Sequence, residues 1–313
     1  MSGLMAVFRK ELADNFNSLR FIILSFLGYG AAILLTIFVA AQNIRSGVTE
    51  TTQYIFLRLF TVSGDIQFFS FPVFMTFFIP IVGILMGFDA INGERATGNL
   101  SRLSSQPIYR DSIINGKFLA GLVTIAILVF SIVFLMGGIG LRMIGVPPNP
   151  DEILRLFTFI FVSIIYGGFW LALAILFSVL FNRIATSALA SIAVWLFVFL
   201  FVSVIASLIA GAVIPIDQGA SQALQVKQNE VAHTISLISP AVLYSESIRV
   251  LLIPSHPVMF VLSLYYTGLE PDPLSIGQSL LIAWPQMISL IALTALCFAG
   301  SYIKFMREEI RAT

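Results

Sequence analysis

Six long apolar runs constrain the fold of this chain more than any other feature. An α-helix needs about 20 apolar residues to cross the hydrocarbon core of a bilayer. The runs are of that order or longer, and we place them near residues 21–42, 69–88, 118–141, 154–181, 187–213 and 280–304. Backbone polar groups must be satisfied inside the membrane, so segments of this kind fold as helices. The sequence therefore predicts an all-α membrane protein with six transmembrane helices, and residues 21–313 form that domain.

The composition agrees with a place in the bilayer and argues against several classes of function. Hydrophobic residues make up 58% of the 313 residues and charged residues 11%, too little charge to cover a soluble domain. A net charge of +1 lacks the basic excess of a nucleic-acid-binding protein, so we expect no nucleic-acid partner. One cysteine, Cys297, and two histidines, His233 and His256, provide neither a disulfide framework nor a metal site.

The distribution of lysine and arginine orients the six spans, because cytoplasmic segments of membrane proteins are enriched in basic residues. With both termini in the cytoplasm, eleven basic residues lie inside, namely Arg9, Lys10, Arg20, Arg95, Arg102, Arg110, Lys117, Arg183, Lys304, Arg307 and Arg311. The outer segments are longer in total and hold six, namely Arg45, Arg58, Arg142, Arg155, Lys227 and Arg249. The sequence thus predicts a multi-pass protein of the cell (plasma or inner) membrane with cytoplasmic termini.

Residues 214–279, between the fifth and sixth runs, are apolar only in patches. Prolines interrupt the segment, and Glu246 and Arg249 lie in its longest apolar run. A further run, 258–267, is only about ten residues long, which is too short to span a bilayer. We interpret residues 214–279 as a long outer loop with short interfacial or re-entrant helices.

The residues ahead of the first span have helical periodicity. Their apolar side chains recur every three to four residues, at Leu4, Phe8, Leu12, Phe16 and Leu19. This pattern predicts an amphipathic helix over residues 1–20 that lies along the inner membrane surface. The small residues Val39, Ala40 and Ala41 would suit a signal peptidase, but the first apolar run is about twice as long as the hydrophobic region of a signal peptide. We therefore expect the first span to be retained.

The second span carries two prolines and two glycines. Pro72 and Pro80 introduce possible kinks, and Gly83 and Gly87 offer a face for close approach of another helix. Two interpretations stay open: a gate that packs across a two-fold axis, and ordinary helix packing.

The inner segment 89–117, between the second and third spans, holds the densest charge in the chain. Gly98 favours a break, Leu100 and Leu103 share one face of a short helix, and Pro107 ends it. Such a helix suits docking onto a soluble partner. The same residues equally suit a solvated hairpin kept inside by its positive charge. The residue pattern alone does not choose between these two interpretations.

The same segment contains an acidic–basic pair, a glycine followed by leucines, a Ser-x-Pro element with a following arginine, and Gly-Lys before the next span. The residues are Glu94, Arg95, Gly98, Leu100, Leu103, Ser105, Pro107, Arg110, Gly116 and Lys117. In these elements the segment resembles the inner loop of ABC-2 type permeases, the membrane-spanning subunits of ABC exporters. Asn99 departs from the usual threonine. The layout of six spans behind an N-terminal surface helix also agrees, although only the loop is specific at motif level.

The resemblance implies partners and site residues. Two permease subunits, identical or different, would pack together in the lipid bilayer, each above a cytoplasmic ABC ATPase. Motion of the ATPase would reach the spans through Glu94, Arg95, Gly98, Leu100, Leu103 and Pro107. Contacts with lipid headgroups or the partner would come from Arg102, Arg110 and Lys117.

No catalytic residue is expected in this chain. It has no Gly-x-x-x-x-Gly-Lys-Ser/Thr phosphate loop, so ATP and Mg²⁺ are expected in the partner ATPase and no cofactor or metal in this subunit.

The interiors of the spans indicate the kind of cargo. They contain hydroxyl groups and almost no charge, which disfavours a proton- or sodium-coupled carrier. A membrane-embedded enzyme would need titratable residues at one depth, and the candidates are spread along the outer loop, at Glu230, His233, Glu246, His256 and Asp272. We expect a permease that exports a hydrophobic or amphipathic substrate. The alternative is the same fold in envelope biogenesis or metal-cofactor maturation.

Overall fold

The computed structural model describes residues 2–45, 54, 56–61, 70–98, 109–215, 222–253 and 274–307. Within these ranges the regular structure is helical, with one 3₁₀ turn at Leu57–Leu59 and no strand. The helices are α1 (Ser2–Asn17), α2 (Leu19–Arg45), α3 (Phe71–Gly87), α4 (Asn92–Ala96), α5 (Arg110–Ile144), α6 (Pro150–Leu180), α7 (Ile184–Val213), α8 (Gln222–Ser236), α9 (Pro240–Leu252) and α10 (Ile276–Arg307). Six spans pass the tests of length and hydropathy: α2, α3 with α4, α5, α6, α7 and α10. The predicted all-α fold with six membrane spans is confirmed.

Several spans extend beyond their apolar runs, because polar first turns also become helical. Helix α6 begins at Pro150, four residues before the predicted start, and proline is well tolerated in a first helical turn. The side chains of Asn149 and Glu152 close a capping box at this end. Helix α5 likewise begins at Arg110, ahead of the predicted residue 118. Hydropathy alone therefore locates the spans but underestimates their lengths.

Helix α6 is the central element of the bundle, and α3, α5, α9 and α10 pack around it. Its residues Tyr166, Trp170 and Leu171 are completely buried. Helix α3 approaches α6 so closely that a Cβ atom at Gly83 would lie 2.9 Å from the carbonyl oxygen of Gly167. The close-approach face predicted in the second span is thus a packing face against α6.

The spans alternate in direction, which defines two ends of the bundle. Ile184, at the start of α7, lies close to Gly93 in α4, and α4 also contacts the end of α6. We call this end the α1 end, because α1 packs there against α5. At the opposite end, the start of α6 meets the start of α10 through a 3.0 Å hydrogen bond from Arg155 to Ser279. Helix α10 then runs alongside α6, so both termini of the described chain lie at the α1 end.

Helices α8 and α9 form a sharply bent pair at the opposite end. Their axes meet at 114°. The chain leaves α7 and enters α10 at that same end, so the pair enters and leaves the bundle on one side, as a re-entrant hairpin. Helix α9 packs against α3, α6 and α10, and the ring of Tyr244 stacks on Tyr166 with centroids 4.3 Å apart. Residues 214–279 thus contain two short helices in their described part, while residues 216–221 and 254–273 lie outside the described ranges. The location of this segment on the outer side of the membrane stays a prediction.

The N-terminal segment is helical, as the periodicity predicts. Val7 is buried, while Leu4, Phe8 and Leu12 are partly covered. Much of this face packs against α5. A location along the membrane surface stays a prediction.

Candidate functional site

The inner segment begins with a short helix, α4, at the α1 end of the bundle. Helix α3 ends at Gly87, a turn follows, and α4 covers Asn92–Ala96. Immediately afterwards, Gly98 has φ of +69°, a left-handed conformation that suits glycine. The break expected at Gly98 is therefore present in the backbone.

Four charged side chains meet where α4, α1 and α5 come together. We call Lys10, Glu11, Glu94 and Lys117 the inner cluster. The ammonium of Lys117 lies 2.9 Å from Glu11 and 3.0 Å from Glu94. The ammonium of Lys10 lies 3.0 Å from Glu11 and 3.5 Å from Glu94. Each carboxylate thus contacts both ammonium groups, and the four charges sum to zero.

Burial makes these contacts stronger than ordinary surface ion pairs. The side chain of Lys117 is 5% exposed, that of Glu94 12% and that of Glu11 16%. A buried ammonium is stable in its charged form only if carboxylates and hydrogen bonds replace its water. Lys10 is 53% exposed, so its contacts are screened and contribute less. Lys117 is therefore the electrostatic centre of the inner cluster.

The pKa of Glu11 reports this environment. Burial on its own would raise the pKa of the Glu11 carboxyl group. The ammonium groups of Lys117 and then Lys10 outweigh burial, and the pKa of Glu11 is lowered below its ordinary value of 4.5. Glu11 is consequently ionised at neutral pH and holds α1 to α5 through Lys117.

Helix α4 is also attached to the end of α6. The hydroxyl oxygen of Ser178 accepts hydrogen bonds from the backbone N–H groups of Ile91, at 2.9 Å, and Asn92, at 3.1 Å. The side-chain amide of Asn92 donates to the carbonyl oxygen of Phe181 at 3.3 Å. These three bonds fix the start of α4 against the turn between α6 and α7.

Two further arginines contribute at this end. Arg95 donates to the side-chain oxygen of Asn182 at 3.2 Å, which adds a second contact to the turn after α6. Arg20, at the start of α2, lies 2.7 Å from Asp89 and above the ring of Phe88. The α4 region is thus in contact with α1, α2, α5 and α6.

The structure places the predicted site residues unevenly. Glu94, Arg95 and Gly98 lie in or beside α4, and Arg110 opens α5. Lys117 lies about two turns further along α5. The other four predicted residues lie outside the described ranges: Leu100, Arg102, Leu103 and Pro107.

Lys117 differs from its expected role. The sequence assigns it to lipid headgroups or a partner, whereas the structure buries its ammonium between two carboxylates. The physical reason is that α1 folds over this part of α5. A Cβ atom at the neighbouring Gly116 would lie 2.8 Å from the side chain of Val7, so α1 approaches α5 too closely for lipid to enter.

Sequence reasoning missed the contribution of α1 to this site. The one available signal was Glu11, which follows Leu4 by seven residues and Phe8 by three, and so falls on the apolar face of α1. An acidic residue on such a face requires a basic partner. Nothing in the local pattern identifies that partner as Lys117, which is more than a hundred residues away.

Comparison with known proteins assigns the family. The family model described as "ABC-2 family transporter protein" matches residues 5–310. The curated protein named "Probable ABC transporter permease protein NosY", from Pseudomonas aeruginosa, is 28% identical over 178 residues. That similarity covers 56% of this chain and 58% of the relative, so the chain matches little more than half of the relative's length. Because the family model covers nearly the whole chain, this protein belongs to the ABC-2 family of transporter proteins, as a membrane-spanning permease subunit.

Proposed function

We propose that this permease is driven by a separate ABC ATPase, which binds ATP and Mg²⁺ and docks at the α1 end. That end would face the cytoplasm, with the protein in the cell (plasma or inner) membrane. Two sequence features support this orientation and division of labour. Basic residues concentrate in the segments at the α1 end, and the chain lacks a phosphate-loop motif.

The observation that carries the proposal is the set of attachments around α4. Glu94 connects α4 to Lys10 of α1 and to Lys117 of α5. Ser178 connects it to α6. A soluble partner that displaces α4 would therefore pull on an N-terminal helix and two spans at once. Coupling through packed contacts of this kind is the physical requirement for transmitting motion into a membrane domain.

The docking residues themselves would follow the turn at Gly98. Leu100, Leu103 and Pro107 are proposed to contact the ATPase, and Arg102 and Arg110 to contact the ATPase or lipid headgroups. Gly98 would set the direction of this segment relative to α4, because its left-handed backbone is strained for other residues. Glu94 and Arg95 would keep the base of the segment fixed.

The cargo is proposed to be hydrophobic or amphipathic and to be exported. The hydroxyl groups within the spans support helix packing more than ion binding, since several donate to their own helix, as Thr124 does to Ala120. The buried charges that the structure describes lie towards the ends of the bundle, in the inner cluster and at the start of α6. A pathway lined by apolar side chains and hydroxyl groups would suit a hydrophobic or amphipathic cargo.

A second permease subunit is proposed to pack against α7. This helix buries only Ser187, Ser191, Ala206 and Ala210 within the subunit. Large apolar side chains cover its remaining surface, including Phe197 and Leu208. Disulfide cross-linking in a Cys297→Ser background tests the contact. Phe197→Cys should give cross-linked dimers, whereas Phe134→Cys, an equally exposed position on α5, should give none.

The coupling role is tested by ATP hydrolysis in nanodiscs containing the permease and its co-purified ABC ATPase. Glu94→Gln and Gly98→Pro should retain the ATPase in a pull-down but abolish the stimulation of hydrolysis by the permease. Arg9→Gln, a change of an exposed charge on α1, should leave stimulation unchanged. The proposal fails if no ABC ATPase co-purifies with the unmodified protein, or if both α4 variants stimulate hydrolysis normally.

A further inference from the structure

A completely buried arginine lies at the end of the bundle opposite the inner cluster. Arg155, in the second turn of α6, has no solvent exposure. Its Nε donates to Asp151 at 2.8 Å. One terminal nitrogen donates to the carbonyl oxygen of Leu251 at 3.2 Å and to the hydroxyl of Ser279 at 3.0 Å. The other donates to the carbonyl oxygen of Leu274.

These partners come from three separate parts of the chain. Leu251 is in the last turn of the re-entrant helix α9, whereas Leu274 and Ser279 lie at the entry to α10. The guanidinium also lies over the ring of Tyr54, 5.3 Å from its centroid. One side chain therefore joins α6 to the end of α9, the start of α10 and the segment after α2.

The neighbouring Glu152 makes a second set of buried hydrogen bonds beside Arg155. It is 2% exposed, and one of its oxygens accepts from the backbone N–H groups of Phe56, at 3.0 Å, and Leu57, at 3.3 Å. The second oxygen accepts from the N–H of Asn149 at 2.7 Å. The first turns of α6 thus fix the described part of the α2–α3 connection as well as α9.

A buried guanidinium is costly unless its donors are satisfied, and arginine's rigid fork is suited to several acceptors at once. Here two acceptors are the backbone carbonyl groups of Leu251 and Leu274, and two are the side-chain oxygens of Asp151 and Ser279. The carbonyl of Leu251 lies in the last turn of α9, where carbonyl groups have no partner within the helix, so the arginine supplies a donor there. The geometry holds segments in place and provides no open site for a ligand.

Helix α9 fills the space between α3, α6 and α10. Buried apolar side chains hold it there along its length, including Ile248 and Leu252. Two polar contacts add to this packing: the hydrogen bond from Arg155 to Leu251 in the last turn, and the Tyr244 hydroxyl bonded to Ser163 at 2.8 Å near the first. The chain bends by 114° between α8 and α9, and His233 of α8 lies 3.5 Å from Glu246 of α9. Loss of the Arg155 hydrogen bonds would leave the last turn of α9 held by apolar packing alone.

We infer that Arg155 is the positioning residue that keeps α9 closed over the end of the bundle opposite the inner cluster. In a transporter, cargo must pass a barrier at this end, and α9 is the described element that occupies it. The inference concerns a closed barrier within this subunit and does not depend on ATPase coupling or on the identity of the cargo.

The test measures access to a buried position on α9. In a Cys297→Ser background, Ser247→Cys places a thiol on the buried face of α9, where Ser247 is completely buried and its hydroxyl donates to Leu243. Ser191→Cys is the matched reference: it is also completely buried and its hydroxyl also donates to a carbonyl four residues earlier, but it lies on α7. A polar thiol reagent is applied to the protein in nanodiscs, where both faces are accessible.

Arg155→Met should raise the labelling rate at position 247 at least tenfold and leave position 191 unchanged. Arg155→Lys should raise it at least threefold, because one ammonium cannot reach Asp151, Leu251 and Leu274 together. Arg249→Met, which removes a half-exposed arginine from the same helix, should have no effect. If Arg155→Met is not recovered as folded protein, Arg155→Lys decides the question. Labelling at 247 below these thresholds, or an equal rise at 191, would overturn the inference.

Discussion

Removal of the buried ammonium of Lys117 should detach α1 from the bundle. In Lys117→Met the side chain keeps a similar length and loses its charge. The carboxylates of Glu11 and Glu94, which lie 2.9 Å and 3.0 Å from the ammonium, would then face each other with only the half-exposed Lys10 nearby. Helix α1 carries Glu11, so it should move away to bring that carboxylate into water.

The magnitude follows from the distances and the burial. At about 3 Å, two unit charges attract by about 5 kcal/mol at an effective dielectric constant of about 20. Desolvation offsets much of that attraction, and removal of one partner from a buried pair typically costs about 3–5 kcal/mol. The carboxylates are partly exposed, at 12% and 16%, which favours the lower end. A loss of about 3 kcal/mol corresponds to an increase of about 100-fold in the opening equilibrium of α1.

Hydrogen exchange of the protein in nanodiscs measures this opening. Amide protection across Ser2–Asn17 should fall about 100-fold in Lys117→Met, while protection around the buried Trp170 of α6 should stay unchanged. Lys10→Met is the control, because its 53% exposed ammonium should contribute about 1 kcal/mol or less. The reasoning is refuted if α1 changes less than tenfold, if Lys10→Met has the same effect, or if α6 loses protection equally.

Three further predictions use the same exchange measurement. Gly116→Ala should loosen α1, because the new Cβ would lie 2.8 Å from Val7, and Val7→Ala should restore protection; persistence of the defect in the double variant would contradict this explanation. Ser178→Ala should leave the N–H groups of Ile91 and Asn92 without their acceptor and cost about 1–3 kcal/mol at α4, while unaltered exchange there would show that the bonds are dispensable. Because the pKa of Glu11 is lowered in the folded protein, its ion pairs stabilise the packing of α1 on α5 fully above about pH 4.5. This stabilisation is lost as the pH falls through the folded-state pKa. After correction for intrinsic exchange rates, α1 should therefore open more below pH 4.5. Glu11→Gln should remove that additional acid response, and an identical response in this variant would refute the role of Glu11.

The spans were predictable because hydropathy is a local property. Each apolar run contains the information that its backbone must be helical in a bilayer, so the bounds of the six spans were placed within four residues of the observed helix ends, except the start of α5, which was placed eight residues late. The close contact at Gly83 was also predictable, since small residues one turn apart permit helices to approach. The starts of α5 and α6 were placed late, because polar first turns carry no hydropathy signal.

The partners within the site were not predictable, because they depend on tertiary distance. Lys117 is charged and immediately precedes an apolar run. That position by itself indicates a residue at the level of the lipid headgroups. Its burial results from α1 folding back onto α5, and no local pattern records that contact. Arg155 is similar: two of its acceptors are backbone carbonyls, of Leu251 and Leu274, whose positions depend on where α9 ends and α10 begins.

Helix α6 connects α4 at the α1 end of the bundle to α9 at the opposite end. Near one end of α6, Ser178 accepts hydrogen bonds from the backbone of α4. Near the other end, Arg155 donates a hydrogen bond to α9. These residues are 23 positions apart, which corresponds to about 35 Å along an α-helix. Between them most residues of α6 are buried, with Tyr166 and Trp170 fully enclosed, so it cannot bend without disturbing the packing of its neighbours. A displacement of α4 is therefore expected to reach Arg155 as a movement of the whole helix rather than as a local rearrangement.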